Sequence, residues 1–176
     1  KSGGFLGLGK PTVQQSMRAL LEEQLRKLNG TIGEQRLKGD DLAEALCHRA
    51  ELFVDLDRPA EGMPDAQEAV RIAPALPRVW QCRANVLFAN REFARAIADY
   101  TKALGLGGEP FETFHRRGHA RFYAGQFEAA AADFGQAAQA RRNGEESDSV
   151  YARLWQAWAL MRAISHEEWD DAASLP

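Results

Sequence analysis

Apolar residues recur along this chain at helical spacing almost from end to end. Over residues 13–28 they fall at Val13, Met17, Leu20, Leu21, Leu25 and Leu28, three or four apart, which gathers them on one stripe of an amphipathic helix. Asn29-Gly30 follows, a helix-ending pair, so the spacing predicts a helix over 13–28 that packs on whatever comes next. A second helix is predicted over 42–56, with Asp40 or Asp41 as its cap and Glu44 placed as in a capping box. Pro74 and Pro77, then Gly105, Gly107, Gly108 and Pro110, then Asn143-Gly144 punctuate the apolar segments beyond it. After the last of these, Ser147 or Asp148 stands where it can cap a helix over 149–163, and HEEWDDAASL can add a short final turn or helix.

The central pattern repeats every thirty-four residues. ALCHRAELFVDL, RVWQCRANVLFAN and ETFHRRGHARFYAG share an arginine followed by a small residue, at Arg49-Ala50, Arg83-Ala84 and Arg117-Gly118, and Leu46, Trp80 and Phe114 each stand three residues earlier. The second half of each unit repeats as well. Gly62, Ala96 and Ala130 are followed four residues later by Ala66, Tyr100 and Phe134, and three later again by Ala69, Ala103 and Ala137. Two antiparallel helices approach closely only where a side chain is nearly absent, so small residues mark the crossings and the aromatics fill the space beside them.

These residues resemble the tetratricopeptide repeat, a helix-turn-helix unit of the same length. The resemblance implies an all-α, right-handed superhelical solenoid of three units, at 43–76, 77–110 and 111–144, in register without an insertion. A glycine-rich segment and amphipathic helix occupy 1–42, and a capping helix and tail 145–176. Such ends keep the terminal apolar faces from water. The first unit departs most from the pattern. Pro59 replaces the aromatic of Phe93 and Phe127, and Gly62 and Met63-Pro64 are expected to delay its second helix. In the third unit Arg121 stands where Phe53 and Leu87 are apolar.

In this family the first helices line an inner, concave face that binds peptides or partner helices. Mapped onto this sequence, that face comprises Cys47, Glu51 and Val54, then Arg78, Gln81, Asn85, Phe88 and Ala89, then Glu112, His115, His119, Phe122 and Tyr123. The partner-binding set is taken as Arg78, Gln81, Asn85, Phe88, Glu112, His115, His119 and Phe122: amides and imidazoles for a peptide backbone, aromatics for an apolar side chain. Some relatives clamp a C-terminal carboxylate here with lysines and asparagines. Only Asn85 fits that pattern, with Cys47 and Glu51 where a lysine and an asparagine are needed, so chaperone-tail binding is disfavoured. Read as exposed, Asn85 and His119 are expected to tolerate alanine with little loss of stability.

Composition narrows the function. The 176 residues are 45% hydrophobic, enough for a sizeable core, and the net charge of −3 argues against a nucleic-acid or anionic-membrane surface. Cys47 and Cys82 are too few for a disulfide scaffold and read as buried small residues. No apolar run is long enough to span a bilayer. The absence of an initiator methionine points to a processed or truncated chain, which hides any leader and leaves the compartment open.

Two stretches imitate nucleotide sites. GFLGLGK has the spacing of a phosphate-binding loop, but Pro11 occupies the position of the magnesium-holding hydroxyl and only three residues precede Gly4. ELFVDLD offers Asp55 after an apolar run, yet the repeat places it near the end of a helix. Metalloprotease and nucleophile-elbow motifs are absent from the sequence. Asp170-Asp171 and Glu145-Glu146 read as helix-end or solvating charges. His115 and His119 have metal-ligand spacing, but the matching positions on neighbouring helices are Gln81 and Cys47, with the cysteine two helices away. The expectation is therefore no catalysis, no metal and no cofactor, and an adaptor or scaffold that holds a protein or peptide. The other reading is a regulatory or targeting module of a larger enzyme.

The segment SVYARLWQAWALMRA is richer in apolar residues than capping requires. Val150, Leu154, Trp155, Trp158, Leu160 and Met161 leave little of the helix polar, so it either folds back as a cap or self-associates through Tyr151, Leu154, Trp155 and Trp158. Tyr151, Leu154 and Trp155 after the array, with RANVLF and RRGHARF inside it, are also similar to bacterial envelope adaptor lipoproteins of the tetratricopeptide type. That likeness implies a dimer in the periplasm or cell envelope; without it the cytoplasm is the expectation.

Overall fold

A computed structural model of the chain describes residues 12–34, 36–140 and 146–173. GFLGLGK, Asn143-Gly144 and Glu145 lie outside the described residues. Within them, regular structure is entirely helical: α1 (Val13–Gly33), α2 (Gly39–Asp55), α3 (Pro59–Ile72), α4 (Pro77–Ala89), α5 (Phe93–Gly105), α6 (Pro110–Tyr123), α7 (Phe127–Gln139) and α8 (Glu146–Ala173). The pairs α2/α3, α4/α5 and α6/α7 are the three units, stacked in order, with α1 against α2 and α8 against α7.

The small residues lie at the crossings. A Cβ on Gly62 would stand 2.7 Å from the Ala50 carbonyl oxygen, and one on Gly118 would stand 2.7 Å from the Phe134 ring. Ala84, Ala96 and Ala130 are fully buried, and beside them Tyr100 and Phe134 fill the gaps with almost no exposure. Each unit is then clipped by a bidentate ion pair. The guanidiniums of Arg49, Arg83 and Arg117 meet Asp65, Asp99 and Asp133, sixteen residues on, at 2.6–2.9 Å. These arginines also sit over apolar rings where the unit has one, Arg83 over Trp80 and Arg117 over Phe114.

The turns inside the units repeat too. The amide of Arg58 donates to the Phe53 carbonyl, Glu92 to Leu87 and Gln126 to Arg121, which closes each first helix with the same six-residue loop. The loop requires a left-handed residue, supplied by Asp57 (φ 60°), Arg91 (φ 63°) and Gly125 (φ 77°).

Several boundaries differ from the sequence reading. α1 runs through Asn29-Gly30 to Gly33, because Asn29 Oδ1 accepts a hydrogen bond from Arg49 at 3.0 Å and Ile32 packs on the core. Thr12 and Gln15 close its start with a capping box. α2 begins at Gly39, so Asp40 and Asp41 lie in its first turn and favour it through the helix dipole, while the capping position is Lys38. The second helix of the first unit is not delayed: α3 starts at Pro59, level with Phe93 and Phe127, because proline suits the first position of a helix. Pro64 then sits inside α3, which Gly62, Asp65 and Ala66 hold down by their burial. α8 is one continuous helix that already contains Ser147 and Asp148, rather than a helix over 149–163 with a short extra piece.

Cys47 does not line the open face to which the resemblance maps it; it is the buried small residue that composition suggests, between α2 and α4, where Cys82 Sγ donates to its carbonyl at 3.6 Å. A side-chain hydrogen bond with Cys47, and burial after it, push the Cys82 thiol up, as befits a core residue. Arg121 is accommodated by a second ion pair on Asp133 at 2.9 Å and a bond to the Ala129 carbonyl. Burial lowers its pKa and Asp133 opposes that. Asp55 is the last residue of α2, as the repeat required.

Candidate functional site

Successive turns of α4 and α6 present two stripes side by side. On α4 the stripe is Arg78, Gln81, Asn85, Phe88 and Ala89, at the three- and four-residue steps of one helix face. On α6 it is Glu112, Arg116, His119 and Tyr123, preceded by Glu109 at the helix start. With the end of α2 they form one cavity, and with the start of α5 and Trp155 of α8 a second.

The first, about 550 Å³, is polar and is lined by Glu51, Val54, Asp55, Arg78, Gln81, Asn85, Glu109, Glu112 and Arg116. Arg78 grips Glu51 with both terminal nitrogens, one at 2.7 Å, and that hydrogen bond raises its pKa. Arg116 Nε donates to Glu112 at 2.8 Å. Glu109 caps α6, accepting from the amides of Phe111 at 3.3 Å and Glu112 at 2.7 Å. Asp55 makes no side-chain hydrogen bond or ion pair among the described residues. Gln81 is 8% exposed and its Nε2 has no hydrogen-bond partner there.

The second cavity, about 440 Å³, is aromatic and is lined by Phe88, Ala89, Arg91, Phe93, His119, Tyr123 and Trp155. Phe88, Phe93 and Tyr123 form a triangle with ring centroids 5.6–5.8 Å apart, and Tyr123 is 55% exposed. His119 packs edge-on against Trp155 at 4.3 Å. Its pKa falls from 6.5 to about 4, because burial disfavours the imidazolium and His115 and Arg116 add repulsion.

Of the eight residues assigned from sequence, Arg78, Gln81, Asn85 and Glu112 line the polar cavity and Phe88 and His119 the aromatic one. His115 and Phe122 line neither. His115 lies between Phe111, Phe134 and Tyr151, and Phe122 lies under Phe127, Trp155 and Trp158, so both seat α8 on the array. Asp55, Glu109, Arg116, Arg91, Phe93 and Trp155 complete the cavities; the first five escaped the sequence reading, and Trp155 entered it only as part of the C-terminal helix. Glu109 and Arg116 were legible in principle, since they share the helical stripe of Glu112 and His119.

Asn85 and His119 are half-buried rather than exposed as the sequence suggests. Asn85 Oδ1 accepts the hydroxyl of fully buried Tyr100 at 2.7 Å, and His119 is covered by Trp155. Alanine at Asn85 would strand that hydroxyl at a cost of about 1–3 kcal/mol, so the substitution cannot report on binding alone.

Among the described residues, no group of three or more histidines, cysteines or carboxylates is placed to hold a metal. No helix there is long and apolar enough to cross a membrane.

The fold is that of tetratricopeptide-repeat domains. The first such domain of human RPAP3 superposes with a TM-score of 0.65 at 22% identity, over 74% of this chain and 98% of that one. The domain of Sgt2 from Aspergillus fumigatus gives 0.61 at 19% identity, over 79% and 88%. The first domain of Spaghetti (RPAP3), solved with an HSP90 peptide SRMEEVD, gives 0.59 at 24%, over 69% and 98%. No family model matches the chain, and no curated protein matches it.

Proposed function

We propose that this chain is a non-enzymatic protein-interaction module that holds an extended partner segment along α4 and α6. One observation carries this reading: a polar cavity with a buried, unpartnered amide donor runs along the same two helices as an aromatic cavity. A peptide needs both, one for its backbone and one for an anchoring side chain. The Spaghetti domain of the same fold holds a peptide, which supports the general mode. Its ligand is acidic, whereas the polar cavity here has four carboxylates and two guanidiniums, so that ligand class does not carry over.

Photo-cross-linking tests the reading. A photoreactive residue at Asp55 or Tyr123 is expected to capture the physiological partner, and the same residue at Glu68 on α3 is not. Equal capture from all three positions would reject the face.

A homodimer through α8 is a second reading, favoured by the exposure of Leu154 and Met161, each about two-thirds open to solvent. Trp155 and Trp158 serve it poorly as probes, since both pack on Phe122. Leu154→Glu with Met161→Glu should convert a dimer to a monomer in sedimentation at micromolar concentration. A wild-type monomer there removes this reading.

A further inference from the structure

We infer that the groove selects a basic extended segment, a lysine or arginine followed or preceded, three to five residues away, by a bulky apolar side chain. This rests on the reading of α4 and α6 as a docking face, and adds the chemistry of its occupant.

Charge supplies the first argument. Glu51, Asp55, Glu109 and Glu112 face one cavity with Arg78 and Arg116. Both guanidiniums are already committed, Arg78 to Glu51 and Arg116 to Glu112. In this cavity an incoming carboxylate would meet an excess of like charge and no free cation, Arg91 lining the aromatic cavity instead. An incoming ammonium or guanidinium would meet Asp55, which has no partner among the described residues, and the free lone pairs of Glu112.

Gln81 supplies the second, independently of charge. Its amide nitrogen is sealed behind the cavity wall without an acceptor among the described residues, a condition that costs free energy and that a peptide carbonyl relieves once the Gln81 side chain turns toward the groove. A segment lying along α4 would bring such carbonyls past it.

Helix geometry sets the spacing. From Gln81 to Phe88, or from Glu112 to His119, the helix rises roughly 10 Å, and from Glu112 to Tyr123 roughly 16 Å. An extended peptide covers that distance in about three to five residues at ~3.3 Å each. A cation held among the carboxylates therefore puts a side chain that far along the segment over Phe88, Phe93 and Tyr123.

The test pans a display library of random linear peptides on the full chain, then measures the enriched sequences by fluorescence anisotropy and maps them by NMR shift changes. Enrichment of Lys or Arg with Leu, Phe or Trp at that spacing is expected. Binding should weaken at least tenfold in the Asp55→Asn, Glu112→Gln double variant and fall as salt is raised, with an unchanged melting curve. Asp55→Asn alone, at an exposed helix end, gives a smaller loss in the same direction and guards against misfolding of the pair. Acidic peptides mapping to α4 and α6 would overturn the basic preference and leave the docking face standing. Peptides mapping elsewhere would overturn the face itself. No enrichment, or basic peptides indifferent to both variants, would overturn the inference.

Discussion

Gly118 has no room for a methyl group, because the Phe134 ring occupies the place where it would stand. The ring is fully buried and flanked by His115, His119 and Trp155, so it has little freedom to yield. Gly118→Ala is expected to destabilise the protein by about 1–3 kcal/mol in urea unfolding, through overpacking. Unchanged stability would mean that the crossing is looser than drawn. The opposite sign is expected at Arg91, whose left-handed backbone suits glycine, as its counterpart Gly125 shows. Arg91→Gly should stabilise by up to about 1 kcal/mol, read as a raised denaturation midpoint. The small residues were legible in the sequence because their period is regular and their chemistry uniform. The acidic partners of the dyad arginines have the same period, at Asp65, Asp99 and Asp133, but a surface-type residue hides its buried role until its partner is placed. The left-handed turn residues were harder to see, since Asp57 and Arg91 give no glycine signal.

At the scale of elements, the repeat register carried the six array helices, while ends decided by tertiary contact did not follow from local signals. Asn29-Gly30 reads as a stop, yet Arg49 ties Asn29 into the helix from another element. The site split along the same line: stripe positions on α4 and α6 were visible, but which of them α8 would cover was not. His115, His119 and Phe122 look alike as face residues until Tyr151, Trp155 and Trp158 are laid over them. That junction is expected to respond to pH. Because His119 has a folded pKa of about 4 against an ordinary 6.5, the unfolded chain takes up the proton first on acidification. Its contribution is therefore complete above 6.5 and is lost as the pH falls toward 4. Melting temperature should drop between pH 7 and 4.5, and His119→Gln should flatten the drop. Parallel curves for the two proteins would show that the imidazole is not held neutral.

For the whole molecule, the two ends of the array are unequal. α1 is fastened mainly by Leu25, with Leu21 and Leu28, against Leu52, Phe53 and Leu56, and its outer residues Val13, Met17 and Leu20 stay exposed. α8 instead buries Ala152 and Ala159 on α7, lays Gln156 over Gly135, and closes Phe134 and Phe122 beneath Trp155 and Trp158. A solenoid's stability is close to a sum of neighbour interfaces, so losing an end costs that end's interface plus whatever apolar surface it uncovers. Removing residues 1–34 should therefore lower the melting temperature only modestly and leave a cooperative transition. Removing residues 141–176 should expose the Phe134 and Phe122 face, with a much larger drop in melting temperature and aggregation at concentrations where the full chain is soluble. Circular dichroism melts and light scattering on the two truncations decide between this asymmetry and an array whose ends are equivalent; similar losses at both ends would mean that α8 contributes capping and nothing more.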